Sequence, residues 1–272
     1  METTFTNLST CLDSVIDYSQ VRKTGFSAID DEIGGFRAGE LIVLASRPSM
    51  GKTAISMVTV GDVAINQKLS VAVFSMKLDK ETYANQLVTT LVNYRQSKEK
   101  SAGSIERKGE LRAEFKKEIK SAQIYVDDSP SLNVRSLERR CYDLSLECSQ
   151  LGLVVIDGFE LMSPDPKCSD KVINAISTSK KLRQLAKEIK CPILITTILS
   201  RRLEHRKFKQ PILSDLKLEG ALGKYADRLL FLYRPQAFDY ESQDPLKIID
   251  GKCRRKFLSV EIDDFITIPL TR

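Results

Sequence analysis

The chain has 272 residues, 42% of them hydrophobic and 29% charged, a composition that supports one large packed α/β domain and argues against global disorder. No apolar run reaches the roughly 18–20 residues of a membrane span, and Met1-Glu2-Thr3-Thr4-Phe5 lacks the basic start and apolar stretch of a signal peptide, so a cytoplasmic protein with no membrane partner is expected. The formal net charge of +6 permits a nucleic-acid partner without demanding one.

In chain order, residues 8–18 form a short apolar-periodic stretch that predicts one helix. Strand-length apolar runs follow at 41–45, 71–75, 124–127, 153–157, 192–197 and 229–233. They are apolar on both faces, which suits a mostly parallel sheet covered by helices. Segments of helical period lie between them at 53–65, 80–92, 134–147 and 172–189, and this alternation predicts an α/β fold. Residues 97–120 are polar and mixed in charge, and read as a surface helix or helical hairpin, or else as a flexible insertion. After residue 235 the pattern changes. Runs at 247–250 and 257–261, joined by the basic turn 251–256, predict a C-terminal antiparallel hairpin finishing the sheet. No internal repeat or Pro/Ser-rich linker divides the chain, so one domain is expected.

The first strand runs into Ser46-Arg47-Pro48-Ser49-Met50-Gly51-Lys52-Thr53, and a helix follows. A loop that opens a helix aims free backbone N–H groups at an anion. Gly51 allows close backbone approach, Lys52 supplies a point charge for β- and γ-phosphates, and the Thr53 hydroxyl suits Mg²⁺. The strict motif begins with glycine, where this chain has Ser46. Asp157 ends an apolar strand, the place from which a carboxylate reaches the metal through water. Arg47, Ser49, Gly51, Lys52, Thr53 and Asp157 are therefore the candidate nucleotide-binding residues, with Thr53 and Asp157 toward the metal.

Other chemistries fit poorly. Cys11, Cys141, Cys148, Cys168, Cys191 and Cys253 form no C-x-x-C pair, and His205 is the single histidine, whereas zinc needs clustered ligands. Free thiols in a reducing compartment are expected. A hydrolase of the Ser-His-Asp or Cys-His kind would need His205 as its base, and that residue sits inside the basic run 201–207.

Together these stretches resemble the C-terminal motor domain of DnaB-type replicative DNA helicases. The resemblance runs from Thr24-Gly25-Phe26 through Gly34-Gly35-Phe36, Arg47 to Thr53, Val155-Ile156-Asp157, residues 200–206, Leu213-Ser214-Asp215-Leu216-Lys217 and Leu230-Phe231-Leu232-Tyr233-Arg234. It implies a RecA-like P-loop NTPase fold, with a linker-type helix segment over 1–20 and an ATP-binding motor domain over 21–272. It also implies ATP and Mg as ligands, single-stranded DNA as partner, and a homo-oligomer, a hexameric ring in that family. ATP then lies between subunits, and Gly251-Lys252-Cys253-Arg254 resembles the motif by which a neighbour inserts a basic finger. On that basis Lys252 and Arg254 join Lys52 as candidate catalytic residues, since a finger arginine can accelerate phosphoryl transfer by ~10³–10⁵. The DNA-facing loops are expected after the strands ending near Asp157 and Thr197. The second carries Arg201, Arg202, Arg206, Lys207 and Lys209, a charge density suited to a phosphate backbone. Only Phe208 interleaves with them, so contacts to phosphate are expected to outweigh base stacking. Lys167 and Lys171 in the first loop are weaker candidates.

Three departures from the family pattern bear on function. Lys77 stands where the family has the glutamate that activates the attacking water, and loss of a general base typically costs ~10²–10⁴ in rate. Lys77 can pair with the γ-phosphate instead, and Glu160 is the nearest carboxylate in sequence to Asp157. The family's γ-phosphate-sensing glutamine aligns with Ile198, leaving Thr197 as a weak substitute. The family's separate N-terminal domain has no counterpart in the resemblance, beyond a linker helix at 8–18. These features leave open a replicative helicase motor with altered chemistry, and a hydrolysis-impaired protein that binds ATP and joins or regulates a replicative helicase ring. A RecA-like recombination or signalling ATPase is a further alternative.

Overall fold

The computed structural model describes residues 20–99, 105–148, 150–166, 168, 170–216, 220–238, 246–251 and 259–262. The expected helix at 8–18, Lys167 and the finger candidates Lys252 and Arg254 lie outside the described residues.

A short antiparallel pair opens the described chain, β1 (Val21–Arg22) with β2 (Phe36–Arg37), around α1 (Ser27–Ile33). Strands and helices then alternate. β3 (Leu41–Ser46) leads to α2 (Lys52–Gly61), and β4 (Ser70–Ser75) to α3 (Lys80–Glu99) and α4 (Ile105–Ser121). β5 (Ile124–Asp127) leads to α5 (Val134–Glu147), β6 (Leu151–Asp157) to α6 (Lys171–Glu188), and β7 (Ile193–Ile198) to the short α7 (Ala221–Tyr225). β8 (Arg228–Tyr233), β9 (Leu246–Asp250) and β10 (Ser259–Ile262) finish the chain's described part.

The main sheet has eight strands in the order β10-β9-β8-β3-β7-β6-β4-β5. From β8 to β5 every pairing is parallel, and β8-β9-β10 is antiparallel. The parallel sheet and the closing hairpin are those the sequence pattern predicts. Alternation along each strand splits the core into two layers. Ile42, Leu44, Val71, Val73, Leu153 and Val155 pack with α2, α3 and α4 on one face. Leu41, Val43, Ala72, Phe74, Val154 and Ile156 pack with α5 and α6 on the other. This two-sided burial is why the strands read as continuous apolar runs rather than as alternating ones.

The described residues of segment 97–120 belong to two helices that pack on each other, not to a flexible insertion. α3 runs seven residues beyond the expected end at Val92, and α4 sends Leu111 and Phe115 into the core. Residue spacing i, i+4 puts those two on one face of a mostly polar helix. The expected helix over 53–65 is broken in type: α2 ends at Gly61, and Asp62–Asn66 is a π-helical turn. Side-chain caps fix three other helix starts: Asp79 accepts from Thr82 N, Asn133 from Ser136 N and Asp170 from Val172 N and Ile173 N. Cys141 and Cys191 are buried free thiols, and burial pushes the Cys141 thiol up to about 12. No described helix is long and apolar enough to cross a membrane.

Candidate functional site

The parallel registers place the site. Ala45 and Ser46 of β3 lie beside Thr197 and Ile198 of β7, Thr196 lies beside Asp157 of β6, and Asp157 lies beside Ser75 of β4. Four strands thus end in one row, and the loops that leave such a row are where open α/β sheets bind ligands.

The loop after β3 turns on two left-handed residues, Ser49 at φ 61° and Gly51 at φ 97°. Gly51 tolerates this without strain and is the N-cap of α2, with no side chain capping the helix. The N–H groups of the first turn therefore face outward with no intrahelical acceptor. Lys52 folds back over the loop and donates to Ser46 O at 3.3 Å, Ser46 Oγ at 2.8 Å and Arg47 O at 3.0 Å. Burial, reinforced by the Lys77 charge, pulls the Lys52 ammonium from 10.5 down to about 8, against the raising effect of Glu160 and Asp157.

Thr53 and Asp157 meet across 104 residues of sequence, Thr53 Oγ1 donating to Asp157 Oδ2 at 2.9 Å. Asp157 is fully buried, so its charge needs partners close by. Thr196 Oγ1 also donates to Oδ1, and in turn accepts from Gly158 N at 3.0 Å. The third partner is Lys77, with Nζ 3.4 Å from Asp157 Oδ1 and 3.8 Å from Glu160 Oε1. Glu160 itself is largely buried and neither of its oxygens accepts a hydrogen bond. Glu160 and Thr197 line a cavity of about 230 Å³ at the ends of β6 and β7. Beneath the row, Tyr83 is fully buried with no hydrogen-bond partner for its hydroxyl. Burial, with the Asp157 charge second, pushes its pKa up. The Thr53 hydroxyl and the Asp157 carboxylate are hard oxygen donors of the kind Mg²⁺ prefers.

Thr196 is the residue that sequence reasoning missed. It singled out Thr197, but the sheet register sets Thr196 against Asp157. The signal lay in the two-residue period of the strand, which puts neighbouring threonines on opposite faces.

The basic segment after β7 begins with a 3-10 turn, Arg201–His205, capped by Ser200. The structure sorts its cations into two groups. Arg206 is bound internally, Nη2 donating to Asp215 Oδ2 and to Gln210 O, both at 2.8 Å. Asp215 is buried and also accepts from Ile212 N. The Lys209 ammonium donates to Glu204 O. Arg201, Arg202 and Lys207 are instead exposed, as is Phe208. Arg47 joins this segment to the phosphate loop, with Nε 2.6 Å from Glu204 Oε1 and Nη1 2.7 Å from Leu199 O.

The family model of the DnaB-like helicase C-terminal domain matches residues 22–260. The chain belongs to the DnaB-like helicase C-terminal domain family. A probable replicative DNA helicase of Trieres chinensis is 32% identical over 225 residues, covering 81% of this chain and 49% of that protein. The replicative DNA helicase DnaC of Bacillus subtilis is 30% identical over 234 residues, 85% of this chain and 51% of its own length. The chain thus spans about half the length of these curated relatives. Among solved structures, an ATPase domain superposes with a TM-score of 0.78 at 24% identity, covering 91% of this chain and 89% of that one. A DnaB-like replicative helicase studied with primase gives 0.78 at 23% identity, covering 94% of this chain and 63% of that one. Those two likenesses identify the fold. Lys77, which the sequence reading sets apart from the family pattern, reaches the Asp157 carboxylate itself.

Proposed function

We propose that this chain is the ATP-binding motor domain of a DnaB-type replicative helicase, acting on single-stranded DNA in a ring of subunits. The observation that carries the reading is the contact between Thr53 and Asp157, which joins the start of the phosphate-loop helix to the end of β6. The open amides of α2, Lys52 and Ser49 receive the β- and γ-phosphates, while Thr53 and Asp157 provide the oxygen donors for Mg²⁺. When bound, that ion neutralises charge on the phosphate oxygens. Lys52 is held in reserve by the Ser46 and Arg47 oxygens and turns to the phosphates when they arrive. Arg201, Arg202 and Lys207 contact the DNA backbone, and Lys252 and Arg254 act on a neighbouring subunit's nucleotide. Equilibrium titration with a fluorescent ATP analogue tests the nucleotide site: Lys52→Ala is expected to abolish binding, and unchanged affinity would sink the assignment.

One observation favours the second reading, an ATP-binding partner of a helicase ring that hydrolyses weakly. The water-activating position holds Lys77, whose ammonium is engaged by Asp157 and Glu160. An ammonium at that place cannot accept a proton from water. ATP turnover with and without single-stranded DNA, in wild type and Lys77→Glu, separates the two. DNA-stimulated turnover in the wild type supports the active motor. Binding without turnover, restored by Lys77→Glu, supports the partner.

A further inference from the structure

Lys77 brings an ammonium to the buried carboxylate that is proposed to face a metal, 3.4 Å from Asp157 Oδ1 and 3.8 Å from Glu160 Oε1. Asp157 is fully buried and the Glu160 side chain is 18% exposed, while Lys77 itself is open to solvent, so the attraction is screened only from the lysine's side.

The surroundings make room for this arm. Gly158 sits at φ 104°, and a Cβ at that position would lie 3.0 Å from Lys77 Cε. The lysine stem therefore passes over a bare backbone on its way to the carboxylate. Glu160 has no hydrogen-bond donor of its own, and Lys77 is the cation that answers its charge. The ammonium charge also reaches the phosphate loop, since it helps to pull down the Lys52 pKa.

We propose that Lys77 is a tethered cation that shares the charge-neutralising role of the divalent metal, so that this phosphate loop does not need magnesium to bind nucleoside triphosphate, although Thr53 and Asp157 can still hold the ion. The inference rests on the proposed nucleotide site and adds a different property to it. A divalent ion approaching Asp157 meets a like charge already in contact with its ligand, whereas a polyanionic phosphate chain meets two cations in Lys52 and Lys77.

The test is equilibrium binding of a fluorescent, non-hydrolysable ATP analogue to the purified chain, in excess magnesium and in excess EDTA. The wild type is expected to keep its Kd within about threefold between the two conditions, and Lys77→Arg to behave alike. Lys77→Glu is expected to bind at least about tenfold more weakly in EDTA than in magnesium. Lys77→Gln, which keeps the stem and removes the charge, is expected to fall between them; thermal unfolding checks that each variant is folded. Wild-type binding that appears only with magnesium would overturn the tethered cation and leave the nucleotide site standing. Equal metal dependence in wild type and Lys77→Gln would overturn it as well. No binding under either condition would overturn the nucleotide site and this inference with it.

Discussion

Lys52→Met is expected to stabilise the nucleotide-free protein while destroying its proposed ligand site. Wild-type Lys52 keeps an ammonium in a place that is 5% exposed, and the environment lowers its pKa from 10.5 to about 8. At 1.36 kcal/mol per pH unit, holding that charge costs the folded state ~3 kcal/mol near neutral pH. Removal of the ammonium leaves both carbonyls with a donor, and Ser46 Oγ, which loses the donor it accepts from, still gives its own proton to Arg47 O. Ser46 O still accepts from Leu199 N at 2.9 Å, and Arg47 O from Ser46 Oγ at 2.7 Å. Methionine retains most of the stem volume, so the cavity term is small. A net gain of ~2–3 kcal/mol corresponds to a rise in Tm of roughly 4–12 °C for a chain of this size. The effect has a pH signature. Between about 8 and 10.5 the unfolded chain binds a proton that the folded chain has lost, so wild-type stability rises with pH through this window. The advantage of Lys52→Met is thus complete below about pH 8 and is lost by ~pH 10.5. Thermal unfolding of both proteins by circular dichroism, without nucleotide, measures the gap across this range. An unchanged or lower Tm for Lys52→Met at neutral pH, or a gap that persists at high pH, would refute the reasoning.

Other outcomes follow from the basic segment and the core. Arg206→Ala is expected to destabilise by about 1–3 kcal/mol in urea unfolding, because it strips the buried Asp215 carboxylate of its ion-pair partner. Arg201→Ala, Arg202→Ala and Lys207→Ala should each leave stability within about 0.5 kcal/mol. Each should flatten the log–log salt dependence of single-stranded DNA binding by ~0.7 if it removes one phosphate contact. Tyr83→Phe is expected to be neutral or stabilising by up to ~1 kcal/mol in the same unfolding assay, since its buried hydroxyl has no partner to lose. A loss above that would reveal a bonded hydroxyl.

The strands were legible because burial on both faces writes one signal at every position: β3, β4 and β6 are buried along their whole length. Strand order was not legible, because the contacts that decide it link residues far apart, such as Ser46 with Leu199 and Thr53 with Asp157. The two-residue strands β1 and β2 are too short to carry a period. α4 was legible only as a surface helix because its two core residues, Leu111 and Phe115, are outnumbered by charges. At the site, residue types and spacing announced the phosphate loop, yet not that Lys52 lies back on Ser46. The basic run announced five cations, yet not that Arg206 and Lys209 are engaged within the segment. Local sequence carries charge density; which charges face outward depends on where Asp215 and Glu204 come to lie.

The guanidinium of Arg47 has a consequence for reading mutants. It belongs to the phosphate loop by sequence, but its bonds go to Glu204 and to the Leu199 carbonyl, at the root of the basic segment. The proposed nucleotide and DNA sites therefore share one pin. A substitution at Arg47 reports on both at once, and only paired measurements of nucleotide and DNA affinity, with Glu204→Gln as the control that loosens the pin from the far side, can apportion its effect.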